Sequence, residues 1–360
     1  PTVAALLLQL GGNGLILSLK LTTFFSDLPF STLWLPTPSP MLIVLFYAAI
    51  LLAIFGIPVS RNRVGKTSRL PGIIACFFVF TLFIFPPAEL LKRWIKSSEI
   101  TFLDVGQGSS TFLQLPSGRR LLIDGGGGSF SAGFNVGEDI IAPFLWRKGI
   151  TRLDAIIVTH GDADHYNGIP FLLKRFRPET LWVSELRGDD SGYRKMLELA
   201  DRLQIQVKIP KQGEQLIKGG EAEVVNLGNP VESSEARSND RSLVLRFEDN
   251  ADDGLSCLFA GDISRNVESQ LIDKEFPLQS TFLLSPHHGS STSNSESFLK
   301  AIQPEIIVVS AGRFRPDHFP NPEVRKRCSD LGITMLITAE QGAITVTSDG
   351  IISPLKSKFY

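Results

Sequence analysis

"THGDADHYNG", residues 159–168, puts two histidines and two aspartates within six positions, directly behind the apolar run "AIIV" of 155–158. Ala155–Thr159 reads as a buried strand, the cluster as the turn after it, and a helix is expected to begin near Asn167. A turn of this kind can aim several side chains at one point. Two imidazoles and two carboxylates suit a nest for divalent cations, because without a cation the carboxylates repel. A solvated polar turn is the competing reading. Two metal motifs are excluded. An EF-hand loop needs Gly where Asn167 stands and Glu where Leu173 stands. The zinc-protease HExxH pattern is absent.

The same arrangement recurs along the chain. "SCLFAGDIS" (256–264) ends an apolar strand with Asp262, and "STFLLSPHHGSS" (280–291) ends another with His287 and His288. "RRLLIDGG" (119–126) ends with Asp124 and "ITFLDVGQG" (100–108) with Asp104. Of five histidines, His160, His165, His287 and His288 follow strands in these motifs; the fifth is His318. Scattered surface histidines do not cluster this way, so the pattern indicates a metal or catalytic site.

Around these motifs, residues 98–360 read as short apolar strands alternating with amphipathic helices. The mixture of hairpin-like strand pairs and strand–helix alternation predicts two mixed sheets with helices outside, not a doubly wound parallel sheet. Gly125–Gly128 reads as a flexible turn. No GxSxG elbow occurs, and "GQGSST" lacks the third Gly of a dinucleotide loop.

Residues 1–97 differ sharply in composition. Met41–Val59 and Leu70–Ala88 are uncharged and long enough to cross a hydrocarbon core of roughly 30 Å. Val3–Leu19, broken by Gln9, Asn13 and glycines, is the weaker span, a third crossing or a re-entrant piece. "SRNRVGKTSR" (60–69) lies between the two strong spans. Its basic residues place it in the cytoplasm and deliver the soluble part to the outer face, whereas Lys92, Arg93 and Lys96 pull the other way. Its "GKT" is no phosphate loop, since Ser60 stands where Gly is required. The chain starts at Pro1 and is expected to be a piece of something longer. With 360 residues and a net charge of −1, any basic binding surface must be local. Three cysteines without a CxxC pair indicate neither a thiolate zinc site nor a disulfide framework.

Taken together, "FLDVGQGSS", "LLIDGG", "ITRLDAIIVTHGDADHYNG", "NDRSLVLRF", "FAGDI" and "HHGSSTS" resemble the ComEC/Rec2 family of competence proteins, within the metallo-β-lactamase fold superfamily. The resemblance implies an α/β fold, an αββα sandwich at 98–360, preceded at 1–97 by transmembrane helices that end a channel region. It implies two divalent ions: His160 and Asp162 ligate one, Asp164 and His165 the second, Asp262 bridges, and His288 completes a shell with His287 as its rival. Asp124 and Asp104 are expected to brace the shell. Asp164 and Asp262 are the expected catalytic residues.

Asp162 replaces the second His usual in the superfamily, and no His lies between His165 and His287. That hardens the site towards manganese or magnesium, with zinc possible. Paired metals of this kind activate water and orient a phosphodiester. Ser290–Ser293 are candidates for phosphate contacts or for capping the helix near Ser295. Arg237, Arg241, Arg313 and Arg315 are candidates for a nucleic-acid backbone or a solvated surface. Phe314 and Phe319 are candidates for base stacking or core, and His318 for a ligand or substrate contact.

The implied function is the C-terminal part of a DNA-uptake protein of the bacterial inner membrane, multi-pass, with a nuclease domain on its outer face, acting on incoming DNA beside other competence proteins. The alternatives are a tethered hydrolase of another phosphodiester, such as a choline phosphate ester, and a degenerate domain that only guides DNA.

Overall fold

The computed structural model describes residues 2–355 except 27, 29–36, 59–66, 85–96, 128–132, 189, 220–221, 230–236, 250–253 and 314–318. The basic stretch around Arg61, Arg63 and Lys66, the flanking Lys92, Arg93 and Lys96, and Phe314, Arg315 and His318 lie outside the described residues. Two compact units result, Pro1–Phe85 and Pro86–Tyr360.

In the first unit the ranking of the apolar segments reverses. α1 (Thr2–Ser26) runs 25 residues, about 37 Å at 1.5 Å per residue. It is the one described helix long and apolar enough to cross a membrane. α2 (Pro40–Phe55) has 16 residues, about 24 Å, short of a hydrocarbon core, and α3 (Leu70–Ile84) has 15 up to the edge of the described residues. Pro40 starts α2, with the Ser39 hydroxyl accepting from the Leu42 amide. Gly56, at φ 71, ends it. The residues expected to continue the span instead form β1 (Ile57–Pro58), paired antiparallel with β2 (Thr67–Ser68).

The second unit is two sheets face to face. β3 (Glu99–Phe102), β4 (Thr111–Gln114), β5 (Arg120–Ile123), β6 (Ala155–Val158), β7 (Thr180–Val183) and β8 (Gln206–Lys208) join β16 (Ala343–Thr347) and β17 (Ile352–Leu355) in the order β17-β16-β3-β4-β5-β6-β7-β8. β9 (Gln215–Gly219), β10 (Ala222–Asn226), β11 (Leu245–Asp249), β12 (Ser256–Phe259), β13 (Phe282–Leu284), β14 (Ile306–Val309) and β15 (Thr334–Ile337) form the other, in the order β15-β14-β13-β12-β11-β10-β9. Each sheet is antiparallel in one half and parallel in the other: β5 to β8 in the first, β12 to β15 in the second.

Period-two alternation explains the layers. Leu113, Leu121 and Ile157 from one sheet meet Phe247, Phe259 and Phe282 from the other in a central core. The opposite faces, Leu122, Ile156 and Val158, and Leu258, Leu283 and Ile307, are covered by helices. α4 (Ala142–Arg147, entered through a π turn at Gly137–Ile141), α6 (Ile169–Phe176) and α7 (Ser191–Arg202) cover the first. α8 (Arg265–Asp273), α9 (Glu296–Ile302) and α10 (Pro322–Asp330) cover the second. This is the expected αββα sandwich. β15 stops at Ile337, where the chain turns into α11 (Thr338–Gln341).

Candidate metal centre

The two parallel halves place the carboxyl ends of their central strands along one edge, where open α/β sheets collect ligands. β5 leads into Asp124, β6 into His160, β12 into Asp262 and β13 into His288. A hydrogen bond from the Leu243 amide to the Thr159 carbonyl (2.9 Å) ties the sheets together at this edge.

The helix expected near Asn167 begins at Ile169, and the stretch before it holds a helical turn of its own. Asp162 sits at the N-cap of α5 (Ala163–Tyr166), a single helical turn that precedes α6 and holds Asp164 and His165. Its backbone is gripped from outside: the Ser109 amide donates to the Asp164 carbonyl (3.2 Å) and the Gly125 amide to the His165 carbonyl (2.6 Å). The Gly125–Gly127 turn is therefore buried and tightly packed rather than flexible.

Gly108, at φ +112, lies so close that a Cβ there would stand 2.2 Å from the Asp164 carbonyl oxygen. Gly108→Ala thus combines a left-handed backbone with a clash. Gly118, at φ +82, has open space around it. Gly108→Ala is expected to destabilise by about 1–3 kcal/mol more than Gly118→Ala, the range for overpacking. Denaturant unfolding of the two variants checks this.

Three histidines converge with a shared tautomer. Asp124 accepts from the Thr159 amide (2.7 Å) and hydroxyl (2.8 Å) and from His165 Nδ1 (2.7 Å). The Thr159 oxygen, its proton directed to Asp124, accepts from His160 Nδ1 (3.1 Å). His288 Nδ1 donates to the Ser310 carbonyl (2.9 Å). Each ring so held turns Nε2 into the cluster, the atom that carries its lone pair whenever the ring is neutral. All three Nε2 atoms are buried and make no hydrogen bond.

Carboxylates face them. His165 Nε2 lies 3.3 Å from Asp262 Oδ1, and His288 Nε2 lies 3.5 Å from Asp262 Oδ2 and 3.3 Å from Asp164 Oδ2. His160 Nε2 lies 3.9 Å from Asp262 Oδ2 and 3.8 Å from Asp162 Oδ2. A cavity of about 10 Å³, the room of one water-sized sphere, is lined by Asp124, Thr159, His165, Asp262, His288 and Ser310.

Orphaned buried donors among carboxylates fit a divalent cation. Ligand atoms of His160, His165 and Asp262 lie within 4.8 Å of one another, as do those of Asp164, His165 and His288. Asp162 stands at the rim, its side chain 41% exposed and hydrogen-bonded to Ser238.

Charge balance in the cluster is carried by protons. Burial, helped by neighbouring His165, pushes His160 down to about 4. Burial also pushes His165 and His288 down, but Asp262 outweighs it, together with Asp124 for the first ring and Asp164 for the second, and raises both. Burial opposes ionisation of Asp262, yet the surrounding imidazoles hold it well below the usual carboxylate range. A bound cation would displace those imidazole protons.

The remaining candidates separate. His287 is half-buried and turns to Thr292, Nδ1 to Oγ1 at 3.2 Å, so His288 is the one in the cluster. Both residues carry left-handed backbones, φ 51 and φ 55, each costing roughly 1–2 kcal/mol. Ser290 bonds Thr292 (2.9 Å) and Ser291 is half-buried, while Ser295 itself caps α9 through the Phe298 amide (3.3 Å).

Asp104 lies 3.6 Å from Arg313 Nη2, and Arg313 Nε donates to the Ala339 carbonyl (2.8 Å). Asp104 thus pairs with Arg313 rather than with a cluster histidine. Arg241 pairs with Glu185 (3.3 Å), and Arg237 is exposed. Phe319 sets its ring edge-on to His288, centroids 6.3 Å apart, and packs with Val309 and Ala311. Thr159 and Ser310, which fix the tautomers, carry no sequence signal: one is an ordinary strand residue and the other acts through its carbonyl.

A mixed-sheet sandwich with this cluster at the strand ends defines a class, and the sequence agrees: residues 103–313 match the metallo-beta-lactamase superfamily, to which the chain belongs. Within it, the resemblance to the ComEC/Rec2 competence proteins holds. ComE operon protein 3 of Bacillus subtilis is 31% identical over 336 residues, 90% of this chain and 41% of the relative. Recombination protein 2 of Haemophilus influenzae is 28% identical over 285 residues, 78% of this chain and 32% of the relative. The chain thus spans less than half the length of either relative. Among solved structures, CmlA, a diiron beta-hydroxylase from Streptomyces venezuelae, superposes with a TM-score of 0.45 at 15% identity, covering 86% of this chain and 62% of that one.

Proposed function

We propose that residues 98–360 form a metal-dependent phosphodiesterase that acts on incoming DNA, as the C-terminal part of a DNA-uptake protein of the bacterial inner membrane. In this reading the soluble domain lies on the outer face and works beside other competence proteins. The observation that carries the hydrolase reading is the convergence of three unpartnered Nε2 atoms on Asp164 and Asp262. The competence relatives and the long apolar helix α1 support the setting.

His160 and Asp162 would hold one ion, Asp164 and His165 the other, with Asp262 between them and His288 closing the shell. The carboxylate shell favours manganese or magnesium over zinc. When bound, such ions supply Lewis-acid polarisation of a phosphoryl oxygen and a more acidic water. The protein's own groups orient the reaction. Asp124, Thr159 and Ser310 fix the imidazoles. Asp164, its side chain 27% exposed, is more open than Asp262 and, unlike the rim residue Asp162, faces His288, which places it to accept a hydrogen bond from the attacking water.

The test is nucleotide release from DNA by the full chain in detergent with manganese, magnesium or zinc. Cleavage is expected, lost on chelation and reduced by more than about 100-fold in Asp164→Ala, beyond the cost of an outer partner. Intact DNA under all three metals overturns the nuclease reading. A second reading, a hydrolase of small phosphodiesters, is favoured by the pairing of Arg241 and Arg313 with Glu185 and Asp104, which leaves less cationic surface for a polyanion. Turnover of small diesters, choline phosphate esters among them, but not DNA would select it.

A further inference from the structure

His287 and His288 hold consecutive left-handed backbones, and a segment in that state persists only where its surroundings over-determine it. The restraint is traceable. Asn294, fully buried, grips both residues before the histidine pair: its Oδ1 accepts from the Ser285 hydroxyl (2.9 Å) and its Nδ2 donates to the Pro286 carbonyl (3.0 Å).

Asn294 is in turn fixed from a different element. Glu268, fully buried on α8, accepts the Asn294 amide at Oε1 (2.6 Å) and the Ser295 amide at Oε2 (2.9 Å). Arg327 of α10 donates to the Asn294 carbonyl. α8 starts three residues after Asp262. The two loops are also stitched directly: the His287 amide donates to the Gly261 carbonyl (3.1 Å), the Arg265 amide to the Thr292 carbonyl (2.9 Å), and the Ser293 hydroxyl to the Ile263 carbonyl (2.7 Å).

We propose that Glu268 and Asn294 form a clamp that registers His288 against Asp262 and so sets the site's affinity for its cation. Both are positioning residues and touch neither ligand side chain. The inference rests on the metal reading above. It adds that the affinity of the centre is controlled by a buried carboxylate–carboxamide relay behind the second sheet, whose residues lie outside the ligand cluster. A relay of this sort acts on metal binding as outer partners do, by holding ligands in one orientation.

The test is Mn²⁺ titration of the full chain in detergent, with unfolding of the metal-free protein measured alongside. Asn294→Ala removes both bonds to the histidine loop. Glu268→Gln keeps the volume but replaces one amide acceptor by a donor. Each is expected to weaken Mn²⁺ binding about 10- to 100-fold while the metal-free chain still unfolds cooperatively. A variant that melts earlier yet binds Mn²⁺ as tightly as wild type shows a purely structural role and overturns the clamp. If Asn294→Ala does not fold, Glu268→Gln decides by the same two readings. A wild-type chain that binds none of Mn²⁺, Mg²⁺ and Zn²⁺ overturns the metal reading itself, and the clamp with it; if it binds only Mg²⁺ or Zn²⁺, the same two variants are read with that ion.

Discussion

Asp262→Asn is expected to abolish cation binding, lowering affinity by more than about 100-fold, and with it any hydrolysis. Among the described residues, Asp262 is the one carboxylate within 4 Å of all three Nε2 atoms. Outer partners of metal ligands already contribute 10- to 100-fold in affinity, and in the proposed reading Asp262 is a ligand shared between two ions. The substitution preserves shape and removes the charge. Without that charge His165 and His288 lose their principal counter-ion, burial takes over, and both rings shed their protons. The metal-free fold is therefore expected to survive, because a buried imidazole can become neutral where a buried carboxylate partner is lost. Calorimetric titration with Mn²⁺ separates the outcomes. Wild-type affinity in a folded Asp262→Asn chain would contradict the placement of Asp262 at the centre.

Asp124→Asn tests the tautomer argument. Asp124 accepts three hydrogen bonds and donates none. An amide in its place must direct a donor at one of them. With its oxygen on the Thr159 amide, its NH₂ faces His165 Nδ1. That nitrogen can then bond only as an acceptor, which moves the ring proton to Nε2, the atom that faces Asp262. Flipped, the NH₂ meets the Thr159 amide, donor against donor. In the first case affinity for Mn²⁺ is expected to fall about 10- to 100-fold. In the second a buried donor is left unsatisfied, costing about 1–3 kcal/mol. Asp124→Ala, which strands three buried donors, is expected to lose more stability, about 3–5 kcal/mol as in other broken buried charge networks. Affinity and denaturant unfolding measured on both variants check the order; an Asp124→Asn chain indistinguishable from wild type in both would remove Asp124 from the site.

Much of this site was legible because each element ends in its own signal. An apolar run of three or four residues, a Gly, and a carboxylate or imidazole mark β5, β6, β12 and β13, and a parallel strand end is where such groups can meet. Residues that act through main-chain contacts were not legible. α5 has four residues, fewer than the repeat by which a helix announces itself. β8, β9 and β17 are edge or near-edge strands with polar or exposed faces, so no apolar alternation marks them. The choice between His287 and His288 depends on two positive φ angles, held through Asn294 six residues on and Glu268 on a separate helix, neither of which has a sequence signal. The membrane segment differs in where its described helices run. Glycines in α1 read as interruptions, yet the helix runs through Gly11, Gly12 and Gly14, while Gly56 and the β1–β2 pair cut short the segment that looked more hydrophobic.

The most direct test of the central claim is anomalous diffraction from crystals of the full chain grown with Mn²⁺. The expected result is a peak enclosed by His165, Asp164, His288 and Asp262, with a second beside His160 and Asp162. Peaks only at surface carboxylates, or none at saturating Mn²⁺, with the Nε2 atoms of His160, His165 and His288 still facing one another, would contradict it.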